Sequence, residues 1–277
     1  MYRNLNPGAL GIVADLEATA QLAQTHGWPA IDLPMHEAYA LATTTSAETV
    51  AEIASTHGLR YGGWGLPINW RKPYDQDALA TLAAQAKLAA AVGCTRAITV
   101  VLPFSEDLPF REHYAFHLAQ LRPVADILGE HGCQLGIEFI GPHTLRGDKR
   151  YGFISSLDGA LALSYALGEH VGLLLDAWHW YTSGGDLADL RALSARDVVY
   201  VHVNDAPAGL TVDEQIDNVR RLPATTGVID IAGFMGTLKT IGYDGPVTPE
   251  PFEERLRSML TEDALREAGD SMTQIGV

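Results

Sequence analysis

The chain has little cysteine: two in 277 residues, Cys94 and Cys133. There is no even, spaced set to form a disulfide framework. Each cysteine falls where a small apolar side chain would pack, one before an apolar strand and one at a helix-to-strand turn. Positive charge is also scarce. Nineteen Lys and Arg stand against 34 Asp and Glu, a net charge of −15, which argues against a nucleic-acid or anionic-membrane surface because both need clustered cations. No apolar run approaches the roughly 18–20 residues of a membrane-spanning helix. The first residues, MYRNLNPGALG, lack a basic-then-apolar leader pattern. Linkers and low-complexity tracts are missing, and no glycine-rich phosphate-binding fingerprint follows an apolar run. The expectation is one soluble, cytoplasmic domain over residues 1–277.

What is present is alternation. Strands are expected at Arg3–Asn6, Ala30–Leu33, Leu59–Leu66, Arg96–Leu102, Gln134–Ile140, Val171–Asp176, Val198–Val203 and Gly245–Thr248. Helices are expected between them: Asp15–His26, a segment carrying Val50, Ile53 and Ala54 that follows the Thr43–Ser46 cluster, Asp75–Val92, Phe110–His131, Ser156–Leu167, Leu187–Leu193, Ile229–Ile241 and Glu253–Glu267. Gly62, Gly63 and Gly65 loosen the end of the third strand, as where a ligand or another backbone comes close. An irregular stretch, Asn204–Val228, interrupts the rhythm. Eight strand–helix units at this length specify an α/β (β/α)8 TIM barrel, single domain, more economically than a doubly wound sheet.

The active site of such a barrel lies at the C-terminal ends of its strands. Four consecutive strands there end in Glu138 (LGIE), Asp176 (GLLLD), His202 (VVYVH) and Glu250 (GPVTPE). A structural ion pair, or for Asp176 a turn cap, accounts for any one of these. Three carboxylates crowded into one mouth repel one another, and leaving them unpaired at low dielectric costs several kcal/mol each. One divalent metal ion resolves the conflict. Oxygen ligands with a single imidazole suit Mn2+, Mg2+, Co2+ or Zn2+.

These motifs (LGIEF, LLLDAWHW, VHVND and GPVTPEPF) resemble those of the xylose isomerase-like barrel superfamily. That group includes ketose 3-epimerases, hydroxypyruvate isomerases, inosose dehydratases and sugar phosphate isomerase/epimerases. The resemblance implies that Glu138, Asp176, His202 and Glu250 hold the metal and that His179 contacts substrate oxygens. It also implies that RRLPATTGVID supplies a substrate-facing arginine at Arg221 or its neighbour Arg220, although Ala224 and Thr226 stand where that loop has glycines. Glu138 and Glu250 would be the catalytic pair. One would remove the proton beside a carbonyl and the other return it, while the cation stabilises the enediolate oxygen. The implied activity is a metal-dependent sugar or keto-sugar isomerase or epimerase. A lyase or dehydratase on an inosose or 3-keto-glycoside is the alternative from the same parts. Relatives that are ketose 3-epimerases carry a glutamate where this chain has Thr144, a departure from that subgroup.

Other residues are candidates on position alone. Trp64, Trp70, Trp178 and Trp180 could wall a sugar site, and core packing explains them equally. Asn69 and Arg71 lie beyond the third strand, and His143 and Arg146 in the loop after Glu138. His26, His57, His131 and His170 read as residues closing helices, and Asp205 as one that orients the ligand shell or a loop. An endonuclease IV-like reading shares Glu138, Asp176, His179 and His202 but needs further histidines on earlier strands. A non-catalytic carbohydrate-binding barrel does not require two bases. The expected partner is a small-molecule sugar or keto-sugar, with no nucleic acid and no membrane. Pairing into a homo-oligomer through exposed helices is compatible with the sequence.

Overall fold

The chain forms strands β1 (Tyr2–Arg3), β2 (Ala30–Ile31), β3 (Arg60–Tyr61), β4 (Trp64–Gly65), β5 (Arg96–Val101), β6 (Phe104–Ser105), β7 (Gln134–Phe139), β8 (Tyr151–Gly152), β9 (Val171–Asp176), β10 (Val198–Val203) and β11 (Pro246–Pro249). The most apolar runs give the longest of these, and β9 and β10 are buried throughout, as strands covered on both faces must be. In the computed structural model, which describes all 277 residues, seven strands lie in the order β1-β11-β10-β9-β7-β5-β4. Each neighbouring pair is parallel. The ring is completed by β2, which pairs with β3 and is bridged to the first strand through Leu5 and Ile31. The expected third strand is therefore split. Arg60–Tyr61 pairs backward with β2, and Trp64–Gly65 pairs forward with β5. Outside the ring, β6 and β8 form a small antiparallel pair. The architecture is a TIM barrel, as expected.

The helices are α1 (Leu16–Thr25), α2 (Met35–Thr44), α3 (Ala47–Thr56), α4 (Gln76–Ala91), α5 (Phe110–Glu130), α6 (Leu157–Leu167), α7 (Ala177–Thr182), α8 (Leu187–Arg191), α9 (Ile231–Thr240), α10 (Glu254–Arg257) and α11 (Thr261–Gln274). Asp15, Ser46, Asp75, Ser156 and Asp230 each accept a backbone N–H from the first turn of the helix that follows, which satisfies donors a helix start leaves open.

Three elements depart from expectation. The Thr43–Ser46 cluster is a joint between two helices. Thr43, Thr44 and Thr45 return their hydroxyls to the Tyr39 and Leu41 carbonyls, which closes α2 before Ser46 opens α3. The helix α7 starts directly at Asp176, with no loop between. The expected Glu253–Glu267 helix is two, with α11 continuing to Gln274 and burying Ala264, Leu265, Ala268, Ser271 and Met272. His26, His57 and His131 do close helices. His170 instead leads into β9, with its ring packed where a Cβ on Gly129 would sit.

Below the mouth, the ring is filled by a polar cluster. Tyr200 Oη donates to Asp32 Oδ1 at 2.6 Å and lies 2.6 Å from Thr248 Oγ1, while Asn4 Nδ2 donates to Asp32 Oδ1 at 2.8 Å. This cluster explains the glycines of the third strand. A Cβ on Gly62 would strike the Asn4 amide, and one on Gly63 would lie 2.5 Å from Tyr200 Cε2. The close approach is by side chains of the protein itself.

Away from this interior, Trp70 packs edge-on against His117 (centroids 5.1 Å apart) and donates Nε1–H to Thr99 Oγ1 at 2.8 Å. Burial lowers the His117 pKa to about 4, against an ordinary value near 6.5. Above pH 6.5 the ring is neutral folded or unfolded. As pH falls from 6.5 towards 4 the unfolded chain binds the proton first, so stability is lost across that window, by up to about 3 kcal/mol.

Two measurements follow. Gly63→Ala should lower stability by about 1–3 kcal/mol through overpacking, seen as a Tm several degrees lower; an unchanged Tm would mean Tyr200 moves aside freely. His117→Phe should flatten the pH dependence of Tm between 6.5 and 4 relative to the parent. Superimposable profiles would remove His117 as its source.

Candidate metal centre

Parallel pairing brings the strand ends level. His202 sits opposite Asp176 on β9 and Thr248 on β11, and Glu250, just past β11, donates its N–H to Val203 O. Glu138 is the fifth residue of β7. Each of Glu138, Asp176, His202 and Glu250 offers one ligand atom, and these atoms lie within 4.8 Å of one another. His202 Nδ1 faces all three carboxylates, 3.5 Å from Glu138 Oε1, 3.9 Å from Asp176 Oδ2 and 3.4 Å from Glu250 Oε2. The four residues therefore form a site able to hold a divalent cation.

The hydrogen bonds show which lone pairs are taken. Asp176 Oδ1 accepts from Trp178 N and Asn204 Nδ2, and Asp176 Oδ2 accepts from Arg220 Nη1 at 2.8 Å. The aspartate thus caps α7 and faces the cluster at once. Glu138 Oε1 and both His202 ring nitrogens are buried without a partner. Leaving such atoms unpaired is costly, and a cation bound by the set would satisfy Glu138 Oε1 and His202 Nδ1. Burial pushes the Glu138 carboxyl up to about 8, with Glu250 and Asp176 adding to it against the pull of His202. Burial acts in the same direction on Asp176, but the Arg220 guanidinium, with His179 and His202, holds it well below the usual range. His202 would be lowered by burial alone; Glu250 and Glu138 hold it well above its ordinary value. Without a cation, an imidazolium and a guanidinium balance the acids.

Arg220 is the arginine turned inward. It is buried, donates to Asp176 and Glu250 (2.6 Å) and to Asp217 (2.9 Å), and lies between the rings of Trp178 and Phe252, at 5.4 and 5.1 Å. Of the two arginines the resemblance left open, Arg221 is the one that points away, donating to Arg220 O. The reason is backbone pairing. Arg221 and Asp205 exchange both main-chain hydrogen bonds at 2.8 Å, and alternation along an extended segment then sends the preceding side chain to the opposite face. Asp205 anchors the rest of that loop, accepting from the N–H groups of Thr226, Gly227, Val228 and Ile229. Ala224 takes the left-handed conformation, φ 61°, where a glycine would be free of strain.

His179 is also in the cluster, 3.8 Å from Glu138 Oε1 through Nε2. Gly141 N donates to its Nδ1, so the neutral ring carries its proton on Nε2. Burial lowers its pKa to about 4, which keeps it neutral near pH 7. Arg220 Nη2 lies 3.2 Å from that Nε2. The guanidinium and the imidazole therefore face each other at the edge of the cluster.

The remaining candidates lie elsewhere. Trp64 is core, with Nε1 donating to Cys94 O. Asn69 and His143 are exposed and outside the cluster. Trp178 is fully buried and supports Arg220 rather than walling a cavity; Trp180 packs on Phe234. Thr144 donates to Gln215 O, which ties the loop after β7 to the 204–228 segment. Asn204 escaped notice, although period-two alternation from His202 puts it on the same face.

If the four residues bind metal, Asp176→Asn and His202→Ala should each lower divalent-ion affinity at least about tenfold while circular dichroism stays that of an α/β protein. Elemental analysis after loading and desalting reads this directly. Stoichiometric metal in both variants would remove the assignment.

Comparison with known proteins gives consistent results. An inosose isomerase of Bacillus licheniformis is 23% identical over 187 residues, 66% of this chain and 63% of the relative. A 3-dehydroshikimate dehydratase of Pseudomonas putida is 26% identical over 144 residues, 51% of this chain and 21% of that larger protein. The matched stretches thus span less than two thirds of these relatives' own length. Among solved structures, a xylose isomerase domain protein from Alicyclobacillus acidocaldarius superposes with a TM-score of 0.90 at 29% identity, covering 99% of this chain and 98% of the other. A protein solved with a bound zinc atom, IOLI, superposes at 0.80 and 18% identity, covering 99% and 98%. The family model for the xylose isomerase-like TIM barrel matches residues 20–275. The chain belongs to that family.

Proposed function

We propose that this protein is a divalent-metal-dependent isomerase or epimerase acting on a keto-sugar or related polyhydroxy ketone, with Glu138 and Glu250 exchanging a proton at the carbon beside the carbonyl. The observation that carries this reading is the placement of two glutamates on either side of one imidazole. His202 Nδ1 lies 3.5 Å from Glu138 and 3.4 Å from Glu250, and the two carboxylates come from strands separated by β9 and β10. A substrate between them would present opposite faces of one carbon to two carboxylates, the geometry that inversion requires.

The roles follow from what each group can do. Glu138, Asp176, His202 and Glu250 would hold the ion. A bound divalent cation would act as a Lewis acid toward the oxygen on which negative charge develops. Burial raises the affinity of Glu138 for protons, so it suits the base that takes the proton. Glu250 would return it from the other side. Arg220 and neutral His179, whose facing nitrogens lie 3.2 Å apart, would orient a substrate oxygen and stabilise charge on it. The zinc in the IOLI structure supports a metal requirement without naming the native ion.

A dehydratase is the second reading, favoured by the similarity to 3-dehydroshikimate dehydratase. Proton abstraction would be the same, followed by loss of a hydroxyl one carbon further on.

Incubation of Mn2+-loaded protein in deuterated water with ketoses, ketose phosphates, inososes and 3-dehydroshikimate, followed by proton NMR, distinguishes these. Deuterium should enter a carbon next to a carbonyl, and chelation should abolish it. Glu250→Gln should cut exchange by at least about a hundredfold with the fold retained. Turnover unchanged in that variant would exclude Glu250 as acid or base; elimination without isomer formation would establish the lyase.

A further inference from the structure

We propose that Asp32 receives the substrate's hydroxyl groups on the side of the mouth away from the candidate metal centre, and that the substrate is an uncharged polyhydroxy ketone rather than a phosphorylated or carboxylated one. The inference rests on the reaction proposed above and adds the substrate class to it.

Position comes first. The four candidate ligands occupy one side of the ring, at the ends of β7, β9, β10 and β11. Counting round the ring, β2 stands across from β9, and the residue that follows β2 is Asp32. Its side chain points inward, because it meets Tyr200 of β10 and Asn4.

One carboxylate oxygen is fixed and the other is available. Oδ1 accepts from both Tyr200 Oη (2.6 Å) and Asn4 Nδ2 (2.8 Å). Oδ2 has no protein donor, and Asp32 is partly exposed at the mouth end of its strand. A partly exposed carboxylate whose other oxygen is held by a packed tyrosine, in the layer just below the mouth, can accept hydroxyl protons at little cost in ordering. Burial raises the Asp32 pKa to about 6, so at neutral pH it is an ionised acceptor.

Charge then excludes the anionic alternatives. Glu138, Asp176, Asp217, Glu250 and Asp32 are five acids around one opening. The one guanidinium among them, Arg220, is already shared by three of these acids. Even with a divalent cation bound, two negative charges remain. Arg71 and Arg146 donate to the Val100 and Gly141 carbonyls, and Lys149 pairs with Glu106. A phosphate or carboxylate at the Asp32 end would face a like charge at low dielectric.

Binding of an inert polyol tests this apart from turnover. Calorimetry on the full-length Mn2+-loaded protein would compare myo-inositol with myo-inositol 1-phosphate, for the parent and for Asp32→Asn. The parent should bind the polyol at least about tenfold more tightly than its phosphate. Asp32→Asn, with metal content unchanged, should lose about tenfold for the polyol and bind the phosphate as well as the parent or better. In turnover the variant should raise KM about tenfold and leave kcat within a few-fold. Equal or tighter binding of the phosphate by the parent would overturn the proposal, as would undetectable binding of both, or polyol binding unchanged in the variant. If Asp32→Asn does not fold, the comparison within the parent still decides. No deuterium exchange with any ketone, together with the expected polyol preference, would sink the reaction and leave Asp32 in place. Exchange without the preference would do the reverse.

Discussion

Three carboxylates, two of them buried and the third half-buried, converge at one end of this barrel, and much of the surrounding structure compensates for them. Glu138, Asp176 and Glu250 each lie within 4 Å of His202 Nδ1, in surroundings where like charges are poorly screened. The compensation is layered. Arg220 bonds to Asp176 and Glu250, Asn204 and a helix N-terminus serve Asp176, and His202 stands among all three. Glu138 Oε1 is left without a donor. A divalent cation bound there would complete the set, because the nearest nitrogens, those of His202 and His179, stay 3.5 and 3.8 Å from that oxygen.

Bringing Arg220 to this position requires the irregular segment between β10 and α9. Asp205 holds that segment through backbone N–H groups of residues 226–229 and a two-bond bridge to Arg221. Asp217 and the rings of Trp178 and Phe252 hold the guanidinium. Phe252 and Ala224 both take positive φ without being glycine, at 41° and 61°. Such conformations cost about a kcal/mol or more and persist where surrounding contacts over-determine them. Phe252 follows Glu250 by two residues, so the strained backbone and the ion cluster belong to the same construction.

The ring and the four strand-end residues were legible in the sequence because both follow from simple periodicities. A buried parallel strand is apolar throughout, and a polar residue that ends it stands out against the run. Where the structure departs, the deciding contact is non-local. Whether Arg220 or Arg221 faces inward depends on the pairing of Arg221 with Asp205, sixteen positions earlier by numbering, which local pattern does not carry. The split of the third strand depends on Tyr200 and Asn4 filling the space above Gly62 and Gly63; the glycines were visible, but what approached them was not. The helix α7 was hidden because WHWYT has weak helical propensity. It forms because Asp176 caps it and its tryptophans are buried. Asp32 was read only as part of a strand, yet alternation back from Glu250 to Thr248 and from His202 to Tyr200 marks the interior layer with which it bonds.

The same arrangement bears on isomerisation against elimination. Both begin with removal of a proton next to a carbonyl; elimination also needs a proton for the departing hydroxyl. His179 is poorly suited to supply it. Its Nδ1 accepts from Gly141 and its pKa is lowered to about 4, so near neutral pH it offers a hydrogen bond through Nε2 and has no acidic proton to give. Arg220, tied to three carboxylates, keeps its protons. The groups left to deliver one are the two glutamates. If Glu138 takes the proton, Glu250 can return it to the opposite face of the same carbon, which is epimerisation, or to the adjacent carbon of the enediolate, which is isomerisation, with no further acid required. Elimination would demand that one glutamate reach the oxygen one carbon away. The outcome therefore turns on how far along the substrate the second carboxylate reaches, and the hydroxyl contacts on the far side of the mouth would fix that register.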